Sequence, residues 1–151
     1  MKGRYETFTV LINRISRNIR KIKNIAMAEY NLRSVHVSCL YYLYSAKNIT
    51  STDLCELCEE DKATISRALD FLAKNGYLAT EENAGKRYKT TLLLTAKGND
   101  VGREIVDKVN GVLRQTGFGF TEQEMVAFYR SLTIISNNLE EIVKKWESES
   151  K

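Results

Sequence analysis

The sequence predicts a mainly α-helical chain with a small β-hairpin wing: a winged helix-turn-helix whose N- and C-terminal helices form a dimerisation region. Three observations predict it. Apolar residues recur at spacings of three and four along most of the chain, which marks amphipathic helices. A short helix is joined to a longer one across only Glu59 and Glu60. Just after Asn75-Gly76 the period changes to short runs rich in Thr, Leu and Tyr, joined by Asn83-Ala84-Gly85-Lys86, the pattern of a hairpin.

The elements follow in order. Phe8, Ile12, Ile15, Ile19, Ile22 and Ala26 put one apolar stripe on a first helix over 5–29. Ser34 is placed to cap a second helix over 35–46, apolar on most sides and therefore expected to be buried. Thr50 opens a short third helix, with Asp53 three residues on to complete a capping box and Leu54, Leu57 and Cys58 facing inward. Asp61 caps a fourth helix over 62–75, buried through Ile65, Leu69 and Leu72. Gly76 closes it, being free to take the left-handed conformation. Tyr77–Glu82 and Arg87–Leu94 form the hairpin arms. Thr95 caps a fifth helix running to about residue 115, and Gly117-Phe118-Gly119 breaks the chain. Thr121 caps a sixth helix, in which Met125, Phe128, Leu132, Ile135, Leu139, Ile142 and Trp146 alternate spacings of three and four, as in a heptad seam.

Composition narrows the class. The chain has 151 residues, 43% hydrophobic and 28% charged, with no proline, which suits one globular domain with long helical extensions. No run approaches the roughly 18 apolar residues of a membrane span, and the basic N-terminus lacks the apolar core of a secretory signal. A cytoplasmic chain without membrane partners is expected. Three cysteines form no disulfide framework, and Cys55-x-x-Cys58 with a single histidine, His36, supplies too few ligands for a closed metal site. With no nucleotide-binding glycine loop either, the sequence points away from an enzyme and calls for no cofactor.

The net charge of +4 is unevenly placed. Residues 1–33 and 61–98 are basic, whereas 34–60 are acidic, so an anionic partner fits best. A short helix bracing a longer one leaves the outer face of the longer one free to enter a DNA major groove. That face carries Lys62, Ala63, Thr64, Ser66, Arg67 and Asp70. Arg67 can pair bidentately with guanine, and the hydroxyls serve bases or phosphates. Lys86, Arg87 and Lys89 at the hairpin tip are placed to reach backbone or minor groove.

The run ITSTDLCELCEEDKATISRALDFLAKNGYL, followed by a charged hairpin and LLLTAKG, resembles the multiple antibiotic resistance regulator (MarR) family of bacterial winged-helix transcription factors. With the flanking helices in order, the likeness covers nearly the whole chain. The resemblance implies a cytoplasmic homodimer, with residues 1–33 and 97–151 forming the dimerisation region and 34–96 the DNA-binding lobe. It implies transcription regulation at a pseudo-palindromic operator, usually repression, relieved by a small aromatic effector or an oxidant. It places Lys62, Thr64, Ser66 and Arg67 against bases and Arg87 in the minor groove. The family's wing often reads Asp-x-Arg; here the stretch is AGKRYK, so the wing arginine lacks its bracing aspartate and Lys86 can take its role.

Several of these features also admit blander roles. A winged helix that only binds other proteins is the alternative to DNA binding. His36, Cys39 and Tyr42 are candidates for an effector pocket, although packing alone accounts for them. The Cys55 and Cys58 thiols read as structural, because no cation lies beside them in the sequence and Glu56 and Glu59 would disfavour thiolates. The cations of the first helix read as a solvated face.

Overall fold

A computed structural model describes residues 3–79 and 91–150. Its helices are α1 (Arg4–Ala26), α2 (Ser34–Ser45), α3 (Ser51–Cys58), α4 (Lys62–Lys74), α5 (Ala96–Thr116) and α6 (Glu122–Glu149), with a single 3₁₀ turn at Ala28–Tyr30. The chain divides into two compact units, Met1–Asn110 and Gly111–Lys151.

The core of the first unit is built from α2, α3, α4 and the start of α5. Leu40, Leu54, Ile65, Leu72 and Ile105 are almost wholly enclosed, as is Met27 just after α1. Each such side chain contributes roughly 1.5–3 kcal/mol through removal from water. α2 carries buried residues on several sides, namely His36, Val37, Cys39, Leu40 and Leu43, as its apolar composition requires. α4 buries Ile65, Ala68, Leu69 and Leu72 along one stripe.

Local chemistry sets the helix ends. Thr50 Oγ1 accepts the Asp53 N–H at 3.2 Å while Asp53 Oδ2 accepts the Thr50 N–H at 2.8 Å, closing a reciprocal box that satisfies two otherwise orphaned donors. Thr121 and Glu124 repeat the arrangement at the start of α6. Gly76, at φ 77°, ends α4 in the left-handed region. Two expectations are corrected. Ser34 is the first residue of α2 and not its cap. Its N–H is accepted by Asn24 Oδ1 at 2.7 Å, and His36 Nδ1 accepts the Arg33 N–H at 3.1 Å. Leu57 is exposed, because α3 turns only Leu54 fully into the core.

The expected hairpin falls largely outside the described residues. Within them, Leu78 and Leu94 form an isolated antiparallel bridge, with the Ala79 N–H donating to Leu93 O at 2.9 Å. Below it, the Thr95 N–H donates to Tyr77 O at 3.0 Å, and the Thr95 hydroxyl donates to Gly76 O at 2.6 Å while accepting the Gly98 N–H at 3.0 Å. One threonine therefore ties the exit from α4 to the entry of α5.

A polar cluster fixes the end of α1 to α5. Lys108 donates to Ala26 O and Glu104, each at 2.6 Å, and the Tyr30 hydroxyl donates to Glu104 at 2.6 Å. The bond to the Glu104 carboxylate pushes the Tyr30 hydroxyl up to about 12, so the phenol remains a donor at any ordinary pH.

In the second unit, α6 buries none of its side chains within the chain. Phe128, Ile135, Leu139, Ile142 and Trp146 of the heptad seam are exposed, as are Phe118 and Phe120 ahead of it. α1 has the same character: Ile12, Ile15, Ile19 and Ile22 are open along one stripe. Among the described residues, no helix is long and apolar enough to cross a membrane.

Candidate nucleic-acid interface

The first unit positions α4 as a helix anchored on one side and open on the other. Asp61 Oδ1 accepts the Thr64 N–H at 2.7 Å and so caps the helix. That backbone bond holds the Asp61 carboxyl below its usual range, and the carboxylate completes the first turn. Behind the cap, Ile65, Ala68, Leu69 and Leu72 lock the inner face. Lys62, Ala63, Ser66, Arg67 and Asp70 are exposed, and Thr64 is half-buried. The Arg67 guanidinium donates to Thr64 Oγ1 at 3.2 Å, which ties the exposed arginine to the first turn of the helix. The sequence-predicted α4 residues thus share one accessible face.

α3 meets α4 through a tight turn, in which Glu59 takes φ 54° and its N–H donates to Glu56 O at 3.3 Å. Glu60 is exposed beside it. The two helices flank a cleft of about 300 Å³ lined by Ser51, Thr52, Cys55, Lys62, Ile65, Ser66 and Leu69. Lys62 and Ser66 belong to both the cleft and the outer face. The hairpin candidates Lys86, Arg87 and Lys89 lie outside the described residues.

His36, Cys39 and Tyr42, the candidates for an effector pocket, are engaged in packing. The His36 ring stacks on Phe71 of α4 with centroids 4.2 Å apart and planes 3° from parallel. Cys39 is fully enclosed, and neighbouring Cys58 and burial push its thiol up. Tyr42 sits edge-on to Tyr41 at 5.3 Å. The cation that sequence reasoning missed is Lys23. Its Nζ donates to Ser38 Oγ at 2.8 Å and its charge acts on Cys58, although it lies on a different helix and far from that cysteine in sequence. Among the described residues there is no group of three or more His, Cys, Asp or Glu side chains able to hold a metal ion.

Residues 30–87 match the family model described as MarR family. Over that segment the chain is similar to the MarR family. Its fold is shared with solved structures over most of its length. A MarR protein from Peptoclostridium difficile is 23% identical, with a TM-score of 0.80 over 93% of this chain and 92% of that one. A MarR-family transcriptional regulator from Listeria monocytogenes, solved with a 26-mer DNA, is 26% identical, with a TM-score of 0.74 over 92% and 90%. The Staphylococcus aureus MepR–DNA complex is 16% identical, with a TM-score of 0.78 over 91% and 99%. No curated relative matches the sequence. The matched MarR-family segment takes in α2, α3 and α4 entire, so it contains the whole exposed face described above.

His36 gives this domain a pH dependence. Burial, and then the nearby Arg33 charge, push its imidazole below the ordinary value of 6.5. In the window below 6.5 the unfolded chain therefore binds the proton more readily than the folded one, so stability falls as pH drops. Protonation would also remove the lone pair that accepts the Arg33 N–H. Urea midpoints measured between about pH 7.5 and 5 should decline in the wild type and decline less in His36→Gln. Equal slopes in the two proteins would show that His36 contributes nothing.

Proposed function

We propose that the chain is a dimeric, sequence-specific regulator of transcription that binds duplex DNA, most simply as a repressor. The observation that carries this reading is the α4 face, where Lys62, Thr64, Ser66 and Arg67 stand on a helix whose opposite side is immobilised in the core. A rigid helix with a cationic, hydroxyl-bearing outer face meets the requirements of major-groove readout. The solved relatives that carry DNA lend support. Lys86, Arg87 and Lys89 serve the flanking backbone or minor groove in this reading.

The partner for the open apolar stripes of α1 and α6 is a second copy of the chain, in an arrangement where 1–33 and 97–151 pair the subunits and 34–96 bind DNA. Exposed apolar rows of this extent exceed what a monomeric surface ordinarily carries. A heptad-type seam that buries nothing within its own chain is built for another helix. A twofold pair reads a pseudo-palindrome with half-sites about 34 Å apart. Release by a small aromatic molecule or an oxidant completes the regulatory cycle in this reading.

Selection of bound fragments from a random duplex library tests it, followed by titration of the selected site against salt. A pseudo-palindromic consensus and a steep loss of affinity with salt are expected. Binding without sequence preference, or none, would refute it. Arg67→Ala should weaken the selected site by ~1–3 kcal/mol and relax preference at one base position. An unchanged consensus for that variant would remove Arg67 from base readout.

A further inference from the structure

His36 is the chain's single histidine, and it is buried where α2 meets α4. Its ring lies flat on Phe71, with centroids 4.2 Å apart and planes 3° from parallel. Its Nδ1 accepts the Arg33 N–H at 3.1 Å at the start of α2. With Nδ1 used as an acceptor, the imidazole is neutral. Phe71 stands four residues after Arg67 on α4, so the two lie on neighbouring turns of one side of the helix. Phe71 is half-buried and Arg67 is exposed. The stack therefore braces α4 one turn behind the arginine assigned to base readout.

A proton on Nδ1 sets a donor against a donor. Turning the ring over in its own plane does not relieve this, because the Arg33 N–H is left without an acceptor and the new charge stays enclosed. The Phe71 face itself tolerates an imidazolium, so enclosure and the Nδ1 bond are what resist the proton. Outward movement satisfies both groups with water, and it takes the ring off Phe71. Burial first, and then the Arg33 charge, hold the imidazole below its ordinary 6.5, so the stacked state binds the proton less readily than an unstacked one. Stacking has its full strength above 6.5 and loses ground as pH falls below it. The other charges on the packed elements are engaged or exposed. Lys23 of α1 is bound to Ser38, Asp53 of α3 to Thr50 and Arg67 of α4 to Thr64. Glu56 of α3 and Asp70 and Lys74 of α4 are exposed. Among the described residues, Arg33 carries the one charge that acts on the ring.

We propose that the His36–Phe71 stack is a pH-sensitive brace on α4: proton uptake by His36 releases Phe71 and lowers the chain's affinity for its duplex. His36 is a positioning residue that acts through Phe71 on the Arg67 side of the helix and touches no base itself. Regulation of duplex affinity by this proton rests on the function proposed above. Coupling is reciprocal, so a bound duplex should push the His36 imidazole further down.

The test uses the full chain and its selected duplex. Affinity is measured from about pH 7.5 down to about pH 5 for the wild type, His36→Gln and His36→Phe. Glutamine keeps an acceptor for the Arg33 N–H without a ring, and phenylalanine keeps a ring on Phe71 without a proton site. The wild type should lose about fivefold or more in affinity over this range, and both variants should lose much less. A merely structural His36 would leave all the pH profiles parallel, which would overturn the proposal. So would a loss confined to conditions where circular dichroism shows unfolding. NMR of the wild type reads the same event without any variant. The lone imidazole resonance and the Phe71 and Arg67 amide signals should titrate together below 6.5, and at lower pH still with duplex bound. An imidazole that titrates while those amides stay still would overturn the proposal, and this measurement decides if either variant fails to fold. If the wild type binds no duplex, the regulator reading fails while the NMR titration of the free chain still decides whether protonation releases α4.

Discussion

Replacing Gly98 with alanine is expected to destabilise the first unit by about 3 kcal/mol or to prevent its folding. Gly98 sits in the first turn of α5, where a Cβ would overlap the Tyr77 carbonyl oxygen and press on Leu94 Cδ2 at 3.1 Å. The Tyr77 oxygen cannot simply turn away, because it accepts the Thr95 N–H at 3.0 Å. Nor can α5 back off easily, because Thr95 also joins the Gly98 N–H to Gly76 O and Val101 and Ile105 are seated in the core. Either movement sacrifices buried packing or a backbone hydrogen bond. Alanine's advantage as a helix former, about 1 kcal/mol, offsets only part of that. Gly111 is the internal control: only Arg114 Nη2, at 3.9 Å, approaches a Cβ there, so alanine should be neutral or stabilising by up to about 1 kcal/mol. Chemical denaturation of both variants checks the pair. Equal stability for Gly98→Ala and the wild type would mean that the α4 exit and the α5 entry are not packed as described.

Much of this architecture is legible in the sequence, because it is written in local rules. The Thr50/Asp53 and Thr121/Glu124 boxes, the Asp61 cap and the left-handed Gly76 each depend on residues within four positions of one another. Their local energies point the same way as the tertiary fold. The α4 stripe is equally readable, since Ile65, Leu69 and Leu72 are fixed by helical period alone, and the outer face follows by subtraction. The failures have a different physical origin. Asn24 reaches Ser34 from the preceding helix, so a cap assigned from Ser34 itself missed a partner supplied by tertiary contact. Leu57 was expected inside because it is leucine, but an eight-residue helix has too narrow a contact with the core to cover both Leu54 and Leu57. Cys58 was expected to lack a cation because sequence neighbours were the only visible ones, whereas Lys23 arrives from α1. Its effect appears only when α1 and α2 pack together. The same limit holds for Gly98, whose spacing says nothing of the carbonyl lying against it.

Ile15→Glu is expected to dissociate the proposed dimer by a factor of roughly a hundred or more in Kd, and with it the binding of a two-half-site operator. Ile15 is 50% exposed in the single chain, midway along the open stripe that includes Ile12, Ile19 and Ile22. Its substitution should therefore leave the helix and the monomer's core intact, and circular dichroism should not change. In a twofold pair every contact at this surface occurs twice. Losing the burial of one isoleucine removes roughly 1.5–3 kcal/mol per copy, and each new carboxylate must also be dehydrated or driven out of the interface. Even without that second term the doubled loss is about 3–6 kcal/mol, where each 1.4 kcal/mol is a tenfold change. Leu139→Glu, at 50% exposure on α6, applies the same test in the other unit, independently of how α1 is placed. Sedimentation equilibrium should show monomers at concentrations where the wild type is dimeric. Each monomer would retain one α4 face and hence weak, non-cooperative affinity for a half-site. If both variants remain dimers of wild-type strength, the open apolar rows serve something other than a second copy of this chain.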